Sequence, residues 1–438
     1  MDHCRHAKAV ETIGCRAKLS GFSYAGQTFV MVLSEKQFVE IRIKMDFPVF
    51  GDAASYSDFG KACADYIVHA GEGVTTSCYN AVRPTGIMVY HAIPFLLTSD
   101  PVEQNHIAVL MNLMSLMVLM VSLLVIFKNL SGAVPGRNTW ANCLGGAAVV
   151  LFTLILCVAY IPIRMSDIQS FACFSASVAI LSSEESRRHS GVLFMAGLMA
   201  GVSVLLKQNY VVSIFFLVFF WCCFDLKNHF AVKFKYVFAY LVGVSVCLIQ
   251  VAAVYYHSGV PWFYEPKAMA VYDIVNSQPY VELVAYTIPT KNSYVSYLPA
   301  EVTAFQYVAV KFYEGISKFY WSVYLGQFPA GIAPQVVVVS HAKMLYMQLV
   351  MVIIALATLA TIYFKNKWIA VFSLMTTASI FLSSILLHTE HRYFLMAKVY
   401  FIVLLAIIFV KFVSKIASRL ESRRAGNTAT DAQALIKQ

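Results

Sequence analysis

Long uncharged stretches of apolar residues dominate the chain and are separated by short polar segments. A stretch of roughly 17 to 25 apolar residues can cross the hydrocarbon core of a bilayer as one helix. By this measure the pattern predicts spanning helices near residues 107–127, 139–163, 168–183, 190–206, 208–224, 236–257, 344–364, 368–387 and 393–412. The predicted fold is therefore an all-α polytopic transmembrane helix bundle of about 9–10 spans.

The tenth span in this count is a weaker apolar run over residues 20–39, which Glu35 and Lys36 interrupt. Basic residues precede it, namely Arg5, Lys8, Arg16 and Lys18. A basic start ahead of a short apolar run is also typical of a signal-like region, although no small-residue cleavage site follows it. The segment 1–44 is thus either a first transmembrane helix or a degenerate signal-like region.

Basic residues occupy every second connection between the predicted helices. The connections concerned carry Lys128 and Arg137, then Arg187 and Arg188, then Lys227, Lys233 and Lys235, and then Lys365 and Lys367. Short loops rich in Lys and Arg stay on the cytoplasmic side of a membrane. The chain then divides into a first outer loop (45–106), a transmembrane core (107–257), a large outer loop (258–342), C-terminal transmembrane helices (343–415) and a cytoplasmic tail (416–438). Polar residues after Ser422 predict a disordered tail.

The composition agrees with a membrane protein. Apolar residues make up 59% and charged residues 13% of the chain, against about 45–50% and about 25% in soluble domains. The formal net charge of +10 does not indicate nucleic-acid binding, because Lys and Arg lie at the ends of apolar runs and not in one basic stripe. The lipid bilayer is the expected partner.

None of the ten cysteines forms a CxxC pair, so the sequence predicts no metal site. Cys63 and Cys78 both fall in the first outer loop. In an oxidising compartment these two residues are candidates for a disulfide, which the sequence leaves open.

The first outer loop contains a predicted amphipathic helix. Apolar residues recur there at helical spacing: Ala53, Tyr56, Phe59, Ala62, Cys63, Tyr66 and Ile67. Asp52 stands at the start of this helix, where a carboxylate can cap free N–H groups and meet the positive end of the helix dipole. Capping is a sufficient structural role for Asp52, and catalysis is the alternative.

The same loop continues with Arg83, Pro84, Thr85 and Gly86, followed by the apolar stretch IMVYHAIPFLL. This stretch is too short to span a bilayer and contains Pro94, a residue that breaks helices. We expect it to lie in the membrane interface or to re-enter the membrane. Taken alone, the Arg-Pro pair is an ordinary turn.

Charged residues also gather at the outer edge of the predicted bundle. They are Arg164, Asp167, Lys207, Glu390, His391 and Arg392, with Tyr393 next in the chain. The position of each cation alone can be explained without a function, because a long Lys or Arg side chain can extend its charged end to the membrane interface. Lys398, however, lies six residues past Arg392, or about 9 Å deeper in a helix, and a Lys inside a membrane helix is a functional-site candidate. Several cations near a carboxylate favour an anionic, phosphate-bearing, lipid-linked substrate.

The order of these motifs resembles the GT-C superfamily of polytopic glycosyltransferases, which includes protein mannosyltransferases and lipid A aminoarabinose transferases. The resemblance rests on GDAASY in the first outer loop, RPTG before the short apolar stretch, AGLMAGVSVLLKQNY, and EHRYF at the last helix, over residues 45–412. It implies a GT-C-like fold, a polyprenyl-phosphate sugar donor and a site on the outer or lumenal side. It also implies that an acidic residue of the first loop activates the acceptor, and Asp52 is the matching position. Many relatives have two adjacent carboxylates there, whereas Ala53 follows Asp52, so Asp46 or Asp58 would have to assist if a second one is needed.

These observations assign roles for sugar transfer to a glycolipid, glycan or protein acceptor. Asp52 is the expected general base, and Lys207 and Arg392, with Arg83 as a further candidate, are expected to hold the departing phosphate. Tyr56 would orient the carboxylate or line the sugar pocket. Supporting roles fall to Arg164, Glu390, Tyr393 and Lys398. This chemistry requires no metal or other cofactor.

Two other functional classes compete with the enzyme. A transporter or flippase for a lipid-linked or anionic solute also uses membrane-edge cations, but carriers typically show repeated halves and charged helices that converge at the midplane. A structural scaffold leaves Lys398 unexplained. Aromatic residues in 258–342 fit an interfacial belt or stacking on a sugar. We expect a multi-pass protein of a bacterial inner membrane with its site facing the periplasm, or alternatively of the endoplasmic reticulum membrane.

Overall fold

The computed structural model describes residues 28–34, 37–42, 52–69, 78, 84–132, 139–161, 164–225, 230–258, 366–386 and 394–436. Contacts divide the chain into two compact units, Met1–Phe47 and Pro48–Gln438. Every described element of the second unit is helical. The first unit contains a pair of strands.

In the first unit, β1 (Thr28–Ser34) pairs with β2 (Gln37–Arg42) as an antiparallel hairpin. The prediction of a membrane helix over residues 20–39 is therefore wrong where the structure describes this segment. Both strands are rich in β-branched and aromatic residues, which favour strands over helices. Glu35 and Lys36, which interrupt the apolar run, fall between the two strands in the sequence.

The helices of the second unit follow the predicted spans closely. They are α1 (Asp52–Val68), α2 (Thr85–Leu97), α3 (Pro101–Ser131), α4 (Thr139–Cys157), α5 (Asp167–Ser182), α6 (Ser190–Leu206), α7 (Tyr210–Asp225), α8 (Phe230–Val244), α9 (Val246–Ser258), α10 (Lys367–Leu386) and α11 (Leu395–Ile436). Short 3-10 helices occupy Val158–Tyr160 and Ser186–Arg188. The span predicted near 344–364 lies outside the described residues.

Within the described part of the chain, four helical segments are long and apolar enough to cross a membrane. They are Pro101–Ser131, Thr139–Cys157, Phe234–Ala253 and Leu395–Arg419. The others, among them α5, α6 and α7, are shorter apolar helices. The apolar helices confirm the helical membrane-type class.

Two boundaries differ from the prediction. The span predicted over residues 236–257 is divided at Ser245 into α8 and α9, but the Ser245 N–H still donates to the Leu241 carbonyl oxygen at 2.9 Å, and Phe234–Ala253 remains one apolar helical segment. At the C-terminus α11 continues to Ile436, so the prediction of a disordered tail after Ser422 is wrong. Ala, Gln, Leu and Arg in this tail are good helix formers, and they continue a helix that begins at Leu395.

Glycines bring α6 and α8 into close contact. A Cβ atom on Gly197 would overlap the carbonyl oxygen of Tyr240, and one on Gly243 would overlap that of Phe194. Small residues that let two backbones approach are a common basis of helix packing in membranes. The AGLMAG segment is therefore a helix contact surface.

The first outer loop folds onto the end of α6. Tyr56 and Cys63 of α1 join a buried cluster with Ile87, Met88 and Leu206, which confirms the predicted amphipathic helix. A Cβ atom on Gly86 would lie 2.6 Å from the carbonyl oxygen of Leu205, so the glycine of RPTG permits the close approach of α2 to α6. The short apolar stretch is one helix, and Pro94 lies inside its last turns without ending it.

A disulfide joins Cys63 of α1 to Cys78. The two residues are 15 positions apart, and closing a loop of about 15 residues stabilises a fold by about 3 kcal/mol in the chain-entropy model. We expect Cys63→Ser to destabilise the packing of α1 on α2 by about this amount. The measurement is the protease sensitivity of the loop in intact membranes.

Cys143→Ser is the matched control for the disulfide, because Cys143 is an exposed free thiol. In the wild type, Cys63 and Cys78 should react with a thiol reagent only after reduction. Labelling of both residues without reduction would contradict the disulfide.

Candidate functional site

A cavity lies where the ends of several helices of the second unit meet. Asp167 at the start of α5, Lys207 directly after α6, and the beginning of α7 line one side. Residues of α10 and the beginning of α11 line the other. The lining residues are Asp167, Lys207, Asn209, Tyr210, Ser213, Ser379, Ile380, Phe394, Leu395, Met396 and Ala397. The cavity encloses only about 30 Å³, which is room for one or two water molecules.

An ion pair between Lys207 and Asp167 forms the polar centre of this cavity. The Lys207 Nζ donates to the Asp167 Oδ1, and the side chains are only 11% and 3% exposed. Each charge also suits its helix end, since Asp167 opens α5 and Lys207 follows the last residue of α6. Removing one member of such a buried pair strongly destabilises the folded protein, because the other charge stays buried without its partner.

Two polar atoms of the cavity wall lack hydrogen-bond partners in the part of the chain that the structure describes. They are the Ser379 Oγ and the Asn209 Nδ2, both of which are buried. Leaving a buried donor or acceptor unsatisfied costs about 1–3 kcal/mol. Such groups in a cavity indicate a place where a bound molecule can supply the partner.

Arg164 connects the first outer loop to the bundle. Its guanidinium donates from Nη1 to the Ser57 Oγ of α1 (3.0 Å) and from Nη2 to the Asn105 Oδ1 of α3 (2.8 Å). It also lies 5.0 Å from the ring centroid of Phe95 in α2. Burial lowers the pKa of Arg164, but an Arg side chain stays charged at neutral pH.

These contacts hold α1, α2 and α3 together, and Arg164 is not among the residues that line the cavity. Its supporting role is therefore to position α1, which begins at Asp52. The side chain of Asp52 lies outside the described residues.

The other predicted site residues divide into three groups. Tyr56 packs in the buried cluster of α1 and α2, with its ring 5.6 Å from that of His91, and it does not line the cavity. Lys398 is buried in α11, directly after the lining residue Ala397. The remaining candidates, Arg83, Glu390, Arg392 and Tyr393, lie outside the described residues.

Sequence reasoning noted Asp167 only as an edge charge and did not assign Asn209 or Ser379. The sequence contained only a weak indication that Asp167 pairs with Lys207, because both residues were predicted to lie at helix ends on the same side of the membrane. Nothing in the sequence distinguished Ser379, since it is one of several hydroxyl residues in an apolar helix.

At the opposite end of the bundle, Arg187 and aromatic rings of two helices form a cluster. The Arg187 guanidinium lies 4.2 Å from the ring centroid of Trp368, and the Trp221 ring lies 5.7 Å from the same ring. Residues from three predicted inner ends are thus in contact with one another. Neither Arg187 nor Trp368 lines the cavity.

Comparison of the chain with protein-family models, curated proteins and solved structures found no match in any of the three. Among the described residues, no group of three His, Cys, Asp or Glu side chains is placed to hold a metal ion. The functional argument therefore depends on the cavity and on the helices around it.

Proposed function

We propose that this protein is a membrane glycosyltransferase. It moves a sugar from a polyprenyl-phosphate-linked donor to a glycolipid, glycan or protein acceptor on the non-cytoplasmic face of the membrane. The observation that carries the proposal is the cavity with its buried Lys207–Asp167 pair. It lies beside the end of α6 on which the first outer loop packs.

In the proposed reaction, one carboxylate acts as the general base and several cations stabilise the departing phosphate. Asp52 takes the proton of the acceptor hydroxyl as that oxygen bonds to the anomeric carbon of the sugar. The bond between the anomeric carbon and the phosphate oxygen breaks, and the lipid phosphate leaves as an anion. Lys207, Arg392 and Arg83 stabilise that anion.

The disulfide supports the proposed orientation independently of the basic loops. Disulfides persist in oxidising compartments and are rare in the cytosol. The Cys63–Cys78 bond lies in the loop that Arg164 ties to the bundle. We therefore place this end of the bundle in the bacterial periplasm, with the lumen of the endoplasmic reticulum as the alternative.

Accessibility in intact cells checks this orientation. With single cysteines introduced into a background without the native ones, we expect a membrane-impermeant reagent to label positions 58, 265 and 391. Positions 187 and 366 should react only after the membrane is opened, because they belong to the basic inner loops. Labelling of position 187 from outside would reverse the orientation and remove the site from the outer face.

The direct test of function is mass spectrometry of lipid-linked sugars and surface glycans in cells with and without the gene. Loss of the protein should remove one sugar from an acceptor and leave its polyprenyl-phosphate donor to accumulate. Re-expression of the wild-type chain should restore both. Unchanged acceptors and donors would argue against the transferase.

A carrier for a lipid-linked or anionic solute is the second candidate. A carrier would likewise use the cations Lys207 and Arg392 that are predicted at the membrane edge. A carrier would move the intact lipid-linked sugar across the membrane, so the sugar would stay on its prenyl phosphate.

A further inference from the structure

We infer that the cavity between α5, α6, α7, α10 and α11 is a hydration site, in which one or two ordered water molecules link α7 to α10. Asn209, directly before α7, and Ser379 of α10 are the groups that hold the water. The inference does not depend on the proposed function, because it concerns only the size and the polar groups of the cavity.

The size of the cavity excludes larger occupants. Its volume is about 30 Å³, whereas a cavity of about 10–15 Å³ already holds one water molecule. A sugar ring or a lipid headgroup is several times larger than a water molecule and does not fit. Water is therefore the polar molecule that suits this space.

The wall of the cavity contains hydrogen-bonding groups that need a partner. Among the residues that the structure describes, the Asn209 Nδ2 and the Ser379 Oγ are buried and have no hydrogen-bond partner. Ser379 is only 2% exposed, so bulk solvent does not satisfy its hydroxyl. The hydroxyl of Ser213, also in the wall, reaches only the Met396 Sδ at 3.9 Å, and a thioether sulfur is a weak acceptor.

A single water molecule can satisfy both unpartnered groups. The Asn209 amide nitrogen donates, and the Ser379 hydroxyl both donates and accepts. A water oxygen can therefore accept from Asn209 while one water hydrogen is donated to Ser379. Leaving two buried polar groups unsatisfied is more costly than ordering one water molecule, so the hydrated cavity is the more stable state.

The ion pair of Asp167 and Lys207 also favours water in this place. Both side chains line the cavity. A buried ion pair is stabilising only when further hydrogen bonds compensate the water that the two charges lose. A water molecule beside the pair supplies such bonds without displacing either charged group.

X-ray footprinting tests the inference directly. Brief X-ray pulses convert bound water into hydroxyl radicals, which oxidise neighbouring side chains, and methionine is readily oxidised to its sulfoxide. Met396 lines the cavity and is 7% exposed, whereas Met165 is 9% exposed and does not line it. In the purified full-length chain in nanodiscs, we expect Met396 to be oxidised severalfold faster than Met165, as measured by mass spectrometry of peptides.

Ser379→Val tests whether Ser379 holds the water. The change removes the hydroxyl and places two methyl groups in the cavity, so the oxidation rate of Met396 should fall to that of Met165. Thr376→Val is the matched control. Thr376 is buried in the same helix and does not line the cavity, and its hydroxyl already donates to the Phe372 carbonyl oxygen at 2.7 Å. This control should leave the oxidation rate of Met396 unchanged.

Equal oxidation of Met396 and Met165 in the wild type would overturn the inference, whether or not any variant folds. An excess at Met396 that persists in Ser379→Val would also overturn it, because the water would then be held elsewhere. An excess that disappears in Ser379→Val and persists in Thr376→Val supports the hydration site.

Discussion

Asp52→Asn is expected to leave the protein folded and inserted in the membrane but to reduce sugar transfer by a factor of about 10² to 10⁴, the usual effect of losing a general base. Asn keeps the size of Asp and caps a helix about as well. At the first position of α1, the lost attraction between the carboxylate and the helix dipole costs only about 0.3–1 kcal/mol. A structural role therefore survives the change, whereas proton abstraction does not.

The assay is transfer of sugar from a polyprenyl-phosphate donor in membranes, normalised to the amount of inserted protein. Asp65→Asn is the matched control, because Asp65 is an exposed carboxylate on the same helix. Asp46→Asn and Asp58→Asn test whether a neighbouring carboxylate is the base. Near-normal transfer by the variants of Asp46, Asp52 and Asp58 would exclude this mechanism and favour the carrier.

The positions of most helices were predictable from hydrophobic pattern alone. The predicted span 190–206 coincides with α6, because a membrane helix is limited by bilayer thickness and by the polar residues at its ends. The same rule failed for residues 28–34 and 37–42, where the pairing of β1 with β2 decides the structure. Strand pairing is a tertiary property that a hydropathy window does not record.

The candidate site was predictable only in its outline. Pattern and charge placed Asp167 and Lys207 at the same edge, but they did not reveal that the two side chains pair. Arg164 had the same signature of an edge cation, and in the structure it binds Ser57 and Asn105. Side chains of equal charge at equal depth differ in role according to their neighbours, which only the packing of the helices determines.

Lys207 is expected to show two separable effects, one on stability and one on use of the lipid donor. Lys207→Ala leaves the Asp167 carboxylate buried without the ammonium group that it binds, and breaking a buried pair in this way costs about 3–5 kcal/mol. It also removes a cation from the proposed phosphate site. Lys207→Arg keeps the charge and should retain more of both properties, although the planar guanidinium changes the geometry of the contact.

The double variant Asp167→Ala/Lys207→Ala separates the two effects. The double variant has no uncompensated buried charge, so its thermal midpoint should lie above that of Lys207→Ala, although the two truncated side chains leave a cavity. Affinity for the lipid donor should stay low, because the double variant lacks both the cation and the carboxylate.

Arg392→Ala should lower affinity for the lipid donor in the same way, and much more than Arg392→Lys does. For these variants the measurements are the thermal midpoint of unfolding and the binding of a tritiated polyprenyl-phosphate-linked sugar to the purified full-length chain. If Lys207→Ala and Arg392→Ala both bound the donor as the wild type does, the edge cations would serve the orientation of the helices and not the phosphate.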